Sequence, residues 1–111
     1  MKKITPNEWV KAGTRDEIQS RKISRVHTGE RWVALHLWKD QVFAIDDSCP
    51  HRGASLAESC ADDGGYIECW HHSWEYQLES GVGRFAWQGC VATFSVKEED
   101  GVVFVSRSPR G

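Results

Sequence analysis

The sequence predicts an all-β protein built as an antiparallel β-sandwich. Three observations lead there. Short apolar runs recur along the chain, separated by turn residues. Asp100-Gly101 stands between two such runs, Val91 to Lys97 and Val102 to Ser106, and an Asp-Gly pair in that place is a strong hairpin signal. Helix-start chemistry is recognised in one stretch near the N-terminus, so the core has to come from strands.

That stretch is Thr5-Pro6-Asn7-Glu8. Thr5 suits the cap, Pro6 the first helical position, and Glu8 completes a capping box. The helix so predicted is short, ends near Gly13 and turns Trp9 inward. Arg21 to Thr28 follows as an imperfect strand, with Gly29-Glu30 as its turn. Arg31 to Trp38 is clearer. Val33, Leu35 and Leu37 share one face, and Trp32, Ala34, His36 and Trp38 share the other. Apolar groups on both faces place this strand in a sandwich interior. Lys39-Asp40 turns the chain into a strand over Gln41 to Asp46, which leads directly to Cys49.

Asp62-Asp63-Gly64-Gly65 reads as a turn, Tyr66 to Glu68 and Trp74 to Leu78 as short strands, and Glu79-Ser80-Gly81 as the next turn. Gly83 to Gly89 is a loop before the final hairpin, and the tail from Arg107 to Gly111 is predicted to fray. His27 and His36 stand alone in strand patterns and read as solvent-facing or hydrogen-bonded side chains.

The 111 residues make one domain, 1–111, with ordinary globular composition: 40% hydrophobic and 27% charged. No apolar run approaches a membrane span, and the N-terminus lacks the apolar core of a signal peptide, which predicts a cytoplasmic chain. A net charge of −2 argues against nucleic acid and suits a partner with a positive patch.

The chemistry is concentrated between Cys49 and His72. Cys49-Pro50-His51 is a C-x-H motif and Cys69-Trp70-His71-His72 a C-x-x-H motif. Thiolate and imidazole are the side chains that best hold soft and borderline metals. Two loops, each with one sulfur and one nitrogen, can grip one metal centre between them. A structural zinc site is one chemistry open to such a set. Known zinc spacings, however, pair cysteine with cysteine and histidine with histidine. Cys60 and Cys90 are left over; arithmetic alone allows a disulfide between them, and in a cytoplasmic chain they read as reduced, partly buried thiols.

With these residues in view, the chain resembles the Rieske [2Fe–2S] proteins, in which two cysteines hold one iron and two histidines the other. Pro50, Gly53 and Leu56 fit the pattern around the first motif. Trp74, Tyr76, Leu78 and Gly81 fit the stretch after the second, where Ser73 replaces the usual glycine. The resemblance implies one [2Fe–2S] cluster per chain, bound by Cys49, His51, Cys69 and His72, with the histidines on the exposed iron. It implies a Rieske-like sandwich with a small cluster-binding subdomain of two loops. It leaves His71 as a non-ligand. The disulfide that ties the loops together in membrane-complex members cannot form here, because its positions fall on Ala54 and His71.

Neutral imidazoles in place of thiolates raise the potential above that of an all-cysteine cluster. High-potential members carry a serine and a tyrosine where this chain has Trp74 and Tyr76. Trp74 has no hydroxyl to give, and Tyr76 reads either as a hydroxyl donor or as packing. The resemblance therefore implies a potential on the order of −150 to 0 mV, low in the Rieske range.

The function implied is that of a one-electron carrier with no catalytic residue of its own. It would be a monomer, moving electrons from an NAD(P)H-dependent flavoprotein reductase to a terminal oxygenase. The alternative within the family is the small subunit of an assimilatory NADH-dependent nitrite reductase. Permanent assembly of that kind predicts an exposed apolar patch, built from Trp70, Trp74 and Trp87.

Overall fold

The computed structural model describes residues 8–49, 55–59, 61–69, 74–85 and 89–110. The strands are β1 (Trp9–Thr14), β2 (Arg25–His27), β3 (Trp32–Trp38), β4 (Gln41–Asp46), β5 (Tyr66–Cys69), β6 (Trp74–Gln77), β7 (Thr93–Glu99) and β8 (Val102–Pro109). One α-helix, α1 (Arg15–Gln19), and a 3-10 turn over Leu56–Glu58 complete the described elements.

Turn chemistry sets the two long hairpins. Lys39 and Asp40 between β3 and β4 have φ of 50° and 69°, and Asp100 and Gly101 between β7 and β8 have 52° and 79°. Two successive left-handed residues twist the backbone in the sense that suits the flanking strands. Pairing then runs from Trp38↔Gln41 to Val33↔Asp46 in the first hairpin. β7 joins β4 through Ala44↔Phe94 and Ile45↔Thr93. The result is a six-stranded antiparallel sheet in the order β1-β8-β7-β4-β3-β2.

Alternation along β3 and β4 gives this sheet two buried faces. Val33, Leu35, Val42 and Ala44 pack with Ile18, Phe94, Val103 and Val105 in one core. Ala34, Phe43 and Ile45 point the other way, against Leu56, Ile67, Tyr76, Leu78 and Val91, and this second core also holds Cys49 and Cys69. Each large apolar side chain so buried contributes about 1.5–3 kcal/mol. The second core joins the sheet to the part of the chain that carries the metal-ligand motifs.

Three expectations are corrected. The chain from Trp9 to Thr14 is a strand paired with β8, whereas a helix reaching Gly13 was expected; Thr5 to Asn7 lie outside the described residues. Gly13, at φ 145°, has no place in a helix. The helix starts after Thr14, whose hydroxyl accepts the Glu17 N–H at 3.1 Å while Glu17 accepts the Thr14 N–H at 2.9 Å. That capping box contributes about 1 kcal/mol, and Ile18 anchors the helix in the core.

The strand expected over Arg21 to Thr28 shortens to Arg25–His27. Arg21 adopts φ 67° just past α1, which breaks any extended run there. The C-terminal tail is not frayed up to Arg110. β8 runs to Pro109, which pairs with Phe94, and the Arg110 N–H donates to Thr93 O at 2.7 Å.

Candidate metal centre

β5 and β6 form a separate hairpin in which Tyr66↔Gln77 leads to Cys69↔Trp74. The chain then returns along β6. The Gln77 N–H donates to Val82 O at 2.9 Å, and the Arg84 N–H to Glu75 O at 2.9 Å. Gly81 makes this return possible. Its φ is 78°, and a Cβ there would lie 2.2 Å from the Val91 carbonyl oxygen.

Cys49 follows β4 and Cys69 ends β5. Both are buried, at 1% and 0% exposure, and both belong to one core cluster. Tyr76, fully buried on β6, places its hydroxyl oxygen 3.8 Å from Cys49 Sγ. Two cysteines buried in one apolar core can be held there as thiolates by a soft metal, the cation that sulfur prefers. The sulfur pair and the hydroxyl beside it therefore fit an iron–sulfur centre.

His51 and His72 lie outside the described residues, as do Pro50, Gly53, Cys60, Trp70, His71, Ser73 and Trp87. Among the described residues, no three His, Cys, Asp or Glu side chains converge as a ready-made metal site. Leu56, expected at an apolar position after the first motif, is fully buried. Cys90 is a free thiol as expected, but it is exposed rather than partly buried. The reason is its place beside Gly89 at the edge of the return loop, ahead of buried Val91. His27 is exposed, and its Nδ1 accepts the Gly29 N–H at 3.0 Å.

Four residues around the first loop carried no motif signal. Asp47 is buried, and its Oδ1 accepts the Ser55 hydroxyl at 2.6 Å and the Ala57 N–H at 3.1 Å. Arg25 Nη1 donates to Asp47 Oδ2 at 3.1 Å. His36, on β3, donates from Nε2 to Leu56 O at 2.9 Å. Burial pushes the His36 pKa down to about 4, with Arg21 acting the same way and the Leu56 carbonyl and Asp47 opposing. Arg21 Nη2 donates to Ala57 O. A buried aspartate two residues before a motif cysteine is a weak sequence cue; its partners depend on sheet register.

A family model described as the Rieske [2Fe-2S] domain matches residues 8–104. The chain belongs to that family, whose domain carries one [2Fe–2S] cluster per chain.

Its relatives include the ferredoxin component of the alkene monooxygenase system of Xanthobacter autotrophicus, 28% identical over 92% of this chain and 84% of the relative. Ferredoxin CarAc of Metapseudomonas resinovorans is 31% identical over 88% of this chain and 92% of the relative. Among solved structures, a chain from the complex of reduced oxygenase and oxidized ferredoxin in carbazole 1,9a-dioxygenase superposes with a TM-score of 0.83 at 28% identity. It covers 95% of this chain and 98% of the matched one.

Proposed function

We propose that this protein is a one-electron carrier of a multicomponent oxygenase system, taking electrons from an NAD(P)H-dependent flavoprotein reductase and delivering them to a terminal oxygenase. The observation that carries this is the two buried cysteines, Cys49 and Cys69, in one core cluster within a Rieske domain. Cys49 and Cys69 hold the inner iron, and His51 and His72 the outer one. When bound, the cluster supplies a reversible one-electron couple.

The residues of the chain do the rest. The second core keeps water from the two sulfurs, and Tyr76 offers a hydrogen bond to Cys49. No catalytic residue is assigned, and residues 1–111 act as one domain.

Charge supports docking to a basic partner. Residues 49–90 hold six carboxylates (Glu58, Asp62, Asp63, Glu68, Glu75, Glu79) against Arg52 and Arg84, a net −4 within a chain of −2. Such asymmetry steers association and falls off with salt. Ferredoxins of two oxygenase systems among the relatives favour an oxygenase over a nitrite reductase as the acceptor. The carrier is monomeric and cytoplasmic in this reading; among the described residues no helix is long and apolar enough to cross a membrane.

Iron and sulfide analysis, with an EPR spectrum after dithionite reduction, tests the reading. Two irons and two sulfides per chain, with the low average g-value of a histidine-ligated centre, support it. One zinc, or no sulfide, overturns it.

A further inference from the structure

The backbone just after the first ligand loop is held in an unusual way. Leu56 and Ala57 have four main-chain polar groups between them, and each is taken up by the scaffold. The Leu56 N–H donates to Asp47 O at 2.6 Å, and the Ala57 N–H to Asp47 Oδ1 at 3.1 Å. Leu56 O accepts from His36 Nε2 at 2.9 Å, and Ala57 O accepts from Arg21 Nη2.

These partners come from three places: the residue after β4, the middle of β3 and the second residue after α1. Arg21 reaches its position with φ 67°, a backbone state that costs a non-glycine residue about 1 kcal/mol or more. Ser48 and Ser55 bridge across the same neck.

We propose that Asp47, His36 and Arg21 form a latch that closes the neck of the loop between Cys49 and Ser55, making them positioning residues for the electron-transfer centre. The inference rests on the reading that Cys49 and His51 are ligands. The loop leaves the scaffold at Asp47 and returns at Ser55, so fixing both ends limits how far a ligand between them can drift. Asp47 is the hinge pin, since its carbonyl and carboxylate bind the returning 3-10 turn while its N–H is tied to Trp32 O at 3.1 Å. Arg25 balances its buried charge, which an unpaired carboxylate could not sustain.

The test uses the cluster-loaded chain and the variants Arg21→Met, Asp47→Asn and Asp47→Ala, with Lys97→Met as a remote control. Iron release to a ferrous chelator, the EPR line shape of the reduced protein and the thermal midpoint are followed together. Arg21→Met and Asp47→Ala should release iron about tenfold faster and shift or broaden the EPR lines, the size of effect seen when groups that orient metal ligands are lost. Asp47→Asn keeps the Oδ1 acceptor and should restore much of the wild-type release rate. Lys97→Met should change nothing.

Should Asp47→Ala fail to fold, Arg21→Met decides, because that side chain is largely exposed and its stem is kept. Wild-type release and spectrum in folded Arg21→Met, and in Asp47→Ala where it folds, would overturn the latch. So would release that merely tracks the thermal midpoint. A wild-type chain lacking iron and sulfide would instead overturn the functional reading, and the latch with it.

Discussion

The hydroxyl of Tyr76 stands 3.8 Å from the sulfur of Cys49, across 27 residues of sequence and inside a sealed core. With Cys49 as the proposed iron ligand, its thiolate has no proton and the tyrosine is the donor. A hydrogen bond to a cluster sulfur draws negative charge away from the iron and stabilises the reduced state.

Tyr76→Phe should therefore lower the reduction potential. A hydrogen bond that differs by about 1 kcal/mol between the two redox states corresponds to about 40 mV for one electron. The wild type should titrate on the order of −150 to 0 mV, towards the upper end because Tyr76 acts as a donor. Protein-film voltammetry of the two proteins gives both values. An unchanged potential in Tyr76→Phe would leave the tyrosine as packing alone.

Ligand assignment separates two adjacent histidines. His72→Ala should lose the cluster or alter its EPR spectrum, while His71→Ala should keep the visible and EPR spectra of the wild type. The opposite pattern would shift the register of the second motif. Cys49→Ser and Cys69→Ser should each reduce iron content, because each replaces a soft ligand beside the inner iron.

His36 makes stability depend on pH. Its folded pKa, about 4, lies below the usual value of 6.5, so the unfolded chain binds the proton more readily. The contribution of neutral His36 is present in full above pH 6.5 and is lost as pH falls from there towards 4. Within that window each pH unit costs about 1.4 kcal/mol. Urea unfolding at pH 7 and pH 5 should show a larger loss for wild type than for His36→Gln, which keeps a donor for Leu56 O but does not titrate. Equal pH slopes would mean that His36 does not carry the acid dependence of stability.

Gly81→Ala should be among the most damaging small substitutions. The added methyl meets the Val91 carbonyl oxygen at 2.2 Å, and the backbone is left-handed there. Strain of this kind costs about 1–3 kcal/mol, which lowers the thermal midpoint of a domain this size by roughly 4–8 °C per kcal/mol. Gly101→Ala makes a control for the backbone term, because its positive φ is similar but nothing lies within 4 Å. The two variants should differ by the clash alone.

What the sequence by itself determined was local or chemical. β4 came out with its full span, Gln41–Asp46, because alternation and the turn at Lys39-Asp40 are encoded in neighbouring residues. The Cys–His motifs announced the family because their spacing is itself the signal.

Where two local signals were equivalent, the sequence could not choose. Thr5 with Glu8 and Thr14 with Glu17 have the same capping-box spacing; Trp9 to Thr14 is drawn into pairing with β8, so no helix runs on to Gly13, and α1 starts after the second. Only the tertiary structure decided who meets whom across the chain. The partners of Asp47, the His36 bond to Leu56 and the Tyr76 approach to Cys49 all follow from sheet register and from how the β5–β6 hairpin packs on the second face. Register is a property of the assembled sheet: a slip of one residue turns every side chain to the opposite face. Contacts that depend on it become visible only when the sheet is built.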